Sequence, residues 1–317
     1  MALDPFLVGI FEKQRAAGMP SLSAGTPAEG RALVAQSRAA LGTGPDMTVN
    51  DLSIPGPAGA IPARLYLPEG PQALIVYYHG GGFVLGSLDD FDTLVRTLAA
   101  RAGAAVLSVD YRLAPEHRFP AAVEDAEAAV RWAAREAPAG AGLPLVLAGD
   151  SAGGNLATVT ARRLRGQVPV ALQILAYPVT DSDTDTRSYR EESDGLPLTR
   201  DDMIWFMDHY APDPATRTHP DLAPLRAPDI SGLPPALVMT AEHDVLRDEG
   251  EAYARHLEAN GVPVELRRYD GASHGFLRMH NIFPLADRAL EDAAAAVRRV
   301  VQGAWQPGLP AGQRDAG

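Results

Sequence analysis

No cysteine occurs anywhere in the 317 residues. Disulfide frameworks, thiolate metal sites and a cysteine nucleophile are therefore excluded together. Lysine is nearly missing too: Lys13 stands alone and arginine carries the remaining basic charge, a bias of base composition that marks no site. Positive charge as a whole is in deficit, with 28 Lys and Arg against 40 Asp and Glu and a net charge of −12. Nucleic acid and anionic membrane make poor partners for such a surface, because phosphate contacts need a basic patch; small neutral substrates fit better. No stretch reaches the ~20 uninterrupted apolar residues of a membrane span. The first residues carry no basic region and meet Asp4 and Pro5 at once, unlike a secretory signal. The expectation is a cytoplasmic protein with no membrane insertion.

What is present is an ordinary globular balance, 46% hydrophobic and 21% charged. The apolar pattern alternates between short runs and helical stripes. After helical periodicity through Leu3, Phe6, Leu7, Ile10 and Phe11, interrupted near its start by Pro5, and a weaker helix around Leu33 and Leu41, strands are expected over 48–54, 61–67, 74–78 and 104–109. Further strands follow over 144–148, 168–177, 235–241 and 264–269, with amphipathic helices between them. Repeated βα units of this kind imply a mostly parallel sheet with helices on both faces.

Between residues 181 and 222 the alternation breaks. This polar, proline-rich stretch surrounds one helix starting at Thr199, with Asp202 three positions on as in a capping box. Met203 to Met207 are apolar without a polar face, so the helix must be covered on several sides. That places Trp205 or Phe206 either over a substrate pocket or in plain lid core. Asp181, Asp183, Asp185 and Glu192 mimic a calcium loop, but Thr186 replaces its glycine and a strand precedes it; a solvated loop is expected, and no metal.

The chemistry centres on Gly149-Asp150-Ser151-Ala152-Gly153. An apolar run precedes it and helical spacing follows, so Ser151 falls on a strand-to-helix turn, the context in which G-x-S-x-G forms a nucleophile elbow. Three consecutive glycines, Gly80 to Gly82, end the buried strand 74–78. Bare backbone there suits N–H donors aimed at an oxyanion. A serine hydroxyl needs a base, and the base needs an acid that fixes its tautomer. In the α/β-hydrolase order both follow the nucleophile at later strand ends. His274 fits as base, with His280 second; Asp244 fits as acid, with Asp248 the rival and a helix cap its simpler role.

Together, His79-Gly80-Gly81-Gly82-Phe83, Tyr111 to Glu116, the Gly149–Asn155 stretch, Asp244 to Gly250 and His274-Gly275-Phe276 make the chain resemble the bacterial hormone-sensitive lipase-like esterases of the α/β-hydrolase fold, over about residues 46–302. The resemblance implies a Ser151, Asp244, His274 triad, an oxyanion hole from the N–H groups of Gly81, Gly82 and Ala152, and no cofactor. It implies a helical cap built from residues 1–45 and the 181–222 insertion, over a catalytic core of 46–180 and 223–302, with a loose tail over 303–317. Phe83, Trp205 and Phe206 are expected at the substrate pocket. Asp150 resembles the GDSAG-type members, which implies a carboxylesterase of short- to medium-chain acyl esters, and an edge strand near 262–270 suggests a homodimer. Val245 stands where the family usually has proline, which should loosen the acid's loop. An amide, formamide or lactone hydrolase would use the same triad. A non-catalytic receptor on this fold, like the plant gibberellin receptors, would lack the histidine found here at 274.

Overall fold

The computed structural model describes residues 2–138, 142–192 and 195–305. Among these residues eight strands form one sheet: β1 (Thr48–Gly56), β2 (Gly59–Leu67), β3 (Leu74–Tyr78), β4 (Ala105–Val109), β5 (Leu145–Asp150), β6 (Leu172–Ala176), β7 (Ala236–His243) and β8 (Val264–Ser273). Their spatial order is β1-β2-β4-β3-β5-β6-β7-β8. β2 pairs antiparallel with β1 and β4, and all other pairs are parallel. Every residue of β3, β4, β5 and β6 is buried, as continuous apolar runs require in a sheet covered on both faces. β8 is an outer edge.

Among the described residues ten α-helices accompany the sheet: α1 (Pro5–Ala16), α2 (Pro27–Gln36), α3 (Arg38–Leu41), α4 (Leu88–Ala102), α5 (Ala121–Glu136), α6 (Ala152–Arg163), α7 (Arg187–Glu191), α8 (Arg200–Tyr210), α9 (Arg247–Ala259) and α10 (Pro284–Val301). One apolar cluster joins α5, α6 and α9 to one face of the sheet, and a second joins α1, α4 and α10 to the other. Pro5 begins α1 instead of interrupting it. A proline at the first helical position loses no intrahelical bond, and the Asp4 carboxylate accepts the Phe6 N–H at 2.9 Å. β6 starts at Leu172, later than expected, because Val168 N–H still bonds the Leu164 carbonyl at the end of α6.

The expected capping box of α8 is present, with Thr199 and Asp202 bonded reciprocally. Asp202 also accepts the backbone N–H of Ser23 at 2.8 Å, which ties the N-terminal segment to α8. Within 181–192, Asp181 pairs with Arg226, and Glu192 bonds His243 at 2.9 Å and lies 3.4 Å from Arg247. The tail expected to be loose lies outside the described residues from 306 onward; before that point Trp305 sits under the Arg299 guanidinium, 4.9 Å from its ring centroid.

Candidate active site

β5 ends at Asp150 and α6 begins at Ala152, so Ser151 alone makes the turn between them, at φ 56°. A non-glycine residue held there stores strain, and the surroundings hold it firmly. Ser151 N–H bonds the Ala176 carbonyl at 2.8 Å, and its own carbonyl accepts the N–H groups of Asn155 and Val179. The Asn155 amide donates to the carbonyls of Val179 and Leu222 at 2.8 and 2.7 Å. A Cβ at Gly153 would overlap the Tyr78 carbonyl, so α6 can lie against the end of β3 only with glycine there.

His274 follows β8 and Asp244 follows β7. His274 Nε2 is 3.0 Å from Ser151 Oγ, and Nδ1 is 2.7 Å from Asp244 Oδ2. With Nδ1–H donated to the carboxylate, Nε2 presents a lone pair to the hydroxyl, the arrangement of a general base. Asp244 is 1% exposed, and its other oxygen accepts the Leu246 N–H at 2.9 Å. The Tyr177 ring meets His274 edge-on at 4.8 Å and fixes the imidazole plane from the side.

The glycine loop leaves two donors free, and the first residue of α6 adds a third. Gly80 N–H is taken by Asp150 Oδ1 at 2.9 Å, and Val84 and Leu85 N–H both bond the Gly81 carbonyl. Among the described residues no acceptor takes the N–H of Gly81, Gly82 or Ala152. Buried N–H groups are nearly always paired, so this grouping beside a serine marks a place for an oxygen that the protein does not itself supply. His79, at the base of the loop, is fully buried between the rings of Phe91 and Tyr111. Burial lowers its pKa to about 4, so it is a neutral support.

Ser151, His274, Gly81 and Gly82 open into a cavity of about 360 Å³. Phe11 of α1, Val34 of α2, Leu198, and Met203 and Phe206 of α8 supply much of its apolar wall. These wall residues come from the segments 1–45 and 181–222.

Residues 75–278 match the α/β hydrolase fold family. The chain belongs to that family. It is 50% identical over 250 residues to the carboxylic ester hydrolase LipN of Mycobacterium tuberculosis, an alignment covering 75% of this chain and 65% of LipN. It is 42% identical to an ethyl acetate hydrolase of Pseudomonas putida, over 79% of this chain and 82% of that one. Among solved structures, the esterase of the archaeon Pyrobaculum calidifontis superposes with a TM-score of 0.88 at 43% identity, covering 94% of this chain and 98% of the other. These relatives place the chain among the hormone-sensitive lipase-like esterases of the α/β hydrolase fold.

Against this esterase frame, the sequence-derived site residues divide. Ser151, His274, Asp244, Gly81, Gly82 and Phe206 come together around the cavity or its hydrogen-bonded chain. Phe83 does not. At φ 63° it turns away from the cavity, is fully buried, and stacks on Tyr210 at 4.0 Å. Trp205 does not line the cavity either. Met203 and Phe206 share the inner face of α8 three positions apart, and Trp205, on another face, packs edge-on against Phe206 and His209.

The rival histidine and carboxylate have other partners. His280 bonds Thr97 at 3.1 Å, and burial lowers its pKa. Asp248 lies inside the first turn of α9, where it accepts the Ser188 N–H at 2.8 Å instead of capping its own helix. Nor is the acid's loop loosened by Val245. That side chain is buried, its carbonyl accepts the Ser188 hydroxyl at 2.6 Å, and Arg247 N–H bonds the Asp244 carbonyl at 3.1 Å. Sequence reasoning missed Tyr177, whose edge-on contact with His274 spans the fold and leaves no local pattern.

Proposed function

We propose that this chain is a serine carboxylesterase acting on short- to medium-chain acyl esters through an acyl-enzyme at Ser151. The observation that carries the reading is the pairing of a base-activated hydroxyl, 3.0 Å from His274 Nε2, with three untaken backbone N–H groups around it. Ser151 Oγ attacks the ester carbonyl while His274 takes its proton, and Asp244 stabilises the imidazolium that results. The carbonyl oxygen becomes an oxyanion held by the N–H groups of Gly81, Gly82 and Ala152, each donor contributing about 10²–10³ in turnover. His274 then protonates the departing alcohol. Water repeats the sequence on the acyl-enzyme and releases the acid. This route calls for no metal or cofactor.

Residues 1–45 and 181–222 act as the cap, setting the length of acyl chain admitted and excluding bulk water. The cavity volume, near the small end of ligand pockets, and the ethyl acetate hydrolase among the relatives support short acyl groups. Hydrolysis of p-nitrophenyl acetate, butyrate, octanoate and laurate by the protein and by Ser151→Ala tests the reading. Release by the unaltered chain, strongest at acetate to octanoate and lost in the variant, is expected. Equal release by both proteins, or none by either, would refute it.

A further inference from the structure

Among the described residues the cavity wall holds one permanent cation, and neither the triad nor the oxyanion loop uses it. Arg278 lies four positions beyond His274, in the turn Phe276–Met279. Its guanidinium carbon stands 4.9 Å from the Phe91 ring centroid. Nη2 donates to the Asp90 carbonyl at 3.1 Å and to the Ser37 hydroxyl at 3.2 Å, both neutral acceptors. Nε is buried without a partner. Among the described residues no carboxylate lies within 4.0 Å of this arginine, and Nη1 makes no bond to the protein.

The vacancy is not for want of acids in a chain of net charge −12. The neighbouring arginines are paired: Arg38 with Asp90, Arg64 with Asp51, and Arg96 with Asp92. Asp90, whose backbone Arg278 touches, has both carboxylate oxygens taken, one by Arg38 at 2.6 Å and one by Ser87 at 2.7 Å. Asp150, the other charged group of the wall, has Oδ1 occupied by Tyr77 and Gly80, and it feels the Arg278 charge across the cavity without a direct contact.

A guanidinium is a planar fork matched to carboxylate. Held against an aromatic face in an apolar cavity, it loses hydration whenever a substrate displaces water, and an anion on that substrate restores its partner. We infer that Arg278 is an anion subsite, and that the esters this enzyme prefers carry a carboxylate remote from the scissile bond. This departs from the neutral substrates that the net charge suggests. It rests on the Ser151 reading above and adds the substrate class. The chemistry is ordinary hydrolysis: the ester C–O bond breaks, the oxygen of water joins the acyl carbon, the alcohol leaves with a proton, and the distal carboxylate is unchanged.

The carboxylate can sit on either side of the ester. Methyl monoesters of succinic, glutaric and adipic acid carry it on the acyl side, and the butyryl ester of glycolic acid carries it on the alcohol side. Each is compared with a neutral isostere, methyl pentanoate to heptanoate and propyl butyrate, in the unaltered protein, Arg278→Met and Arg278→Lys. A charge-assisted pair supplies at least about tenfold in affinity. In one series the anionic ester is expected to exceed its isostere in kcat/KM by about that factor, mainly through KM, with KM rising as salt is added. The ratio should collapse in Arg278→Met and partly recover in Arg278→Lys.

Calorimetric binding of the same esters to Ser151→Ala, with and without Arg278→Met, reads the subsite independently of turnover. Binding of the anionic ester that disappears with Arg278 supports the inference even if turnover fails for another reason. A ratio unchanged by Arg278→Met in both series, or equal binding with and without the arginine, overturns it. Loss of p-nitrophenyl butyrate hydrolysis by the unaltered protein would instead overturn the Ser151 reading.

Discussion

Replacing Asp150 separates two roles that its carboxylate combines. The side chain is 3% exposed and adjoins Ser151. One oxygen accepts two bonds, from Tyr77 OH at 2.7 Å and Gly80 N–H at 2.9 Å. In Asp150→Ala both buried donors lose their acceptor, at about 1–3 kcal/mol each, partly offset by removal of a buried charge. A net loss of roughly 2–4 kcal/mol lowers Tm by about 3–6 °C for a chain of 317 residues. Release of Gly80 also lets the following glycines drift, so kcat should fall about 10²-fold, as for loss of one oxyanion donor. In Asp150→Asn the amide oxygen still accepts both bonds, so turnover should remain within about tenfold and Tm within a few degrees.

The pH dependence carries a separate sign. Burial, opposed by Tyr77, raises the Asp150 pKa above its usual value. Between the unfolded and folded values the native state binds more protons, so its stability falls as pH rises through that window. Asparagine lacks this slope, and the Tm difference between Asp150→Asn and the parent should grow in favour of asparagine across it. Melting curves from pH 4 to 8 with p-nitrophenyl butyrate kinetics supply both readouts. Full turnover in Asp150→Ala, or equal damage from alanine and asparagine, would refute the tether.

Asp244→Asn keeps the shape but offers His274 an amide N–H once the oxygen retains Leu246 N–H, which turns the imidazole to the wrong tautomer; kcat should fall about 10⁴-fold with little change in Tm. A loss below tenfold would dismiss Asp244 as the acid. Gly82→Ala introduces a Cβ that overlaps the Phe206 ring at a backbone φ of 60°, and kcat/KM should drop about 10–100-fold by displacing an oxyanion donor. Adding Phe206→Ala should relieve the overlap and recover part of the loss, a coupling of more than about 0.5 kcal/mol in the double-mutant cycle; strict additivity would count against a clash.

Residues whose neighbours in sequence are also their neighbours in space were readable. The strand 74–78 is apolar on both faces and lies central in the sheet, with its expected limits. The Thr199 and Asp202 cap spans one helical turn. Ser151, His274 and Asp244 each occupy a strand end, and the parallel sheet brings those ends together. Phe83 and Trp205 were misplaced because hydropathy records that a side chain is buried without recording on which side. A left-handed backbone sends Phe83 toward Tyr210, and one residue of helical rotation carries Trp205 off the cavity. Asp248 looked like a cap because a carboxylate near a helix start usually is one; its partner, the Ser188 N–H, lies sixty positions away.

The loop after β3 shows why an aspartate beside Ser151 is useful despite its burial. Gly80, Gly81 and Gly82 present three successive N–H groups, and backbone donors deprived of water seek acceptors within the chain. Val84 and Leu85 turn back onto the Gly81 carbonyl. Without Asp150, Gly80 N–H would be left to compete for whatever oxygen entered the cavity. With the carboxylate in place, Gly80 is anchored to the last residue of β5, and the next two donors stay untaken in the same wall as Ser151. The elbow and the oxyanion loop thus share one side chain, so the spacing between nucleophile and donors is set by β3 and β5, adjacent parallel strands, rather than by either loop alone.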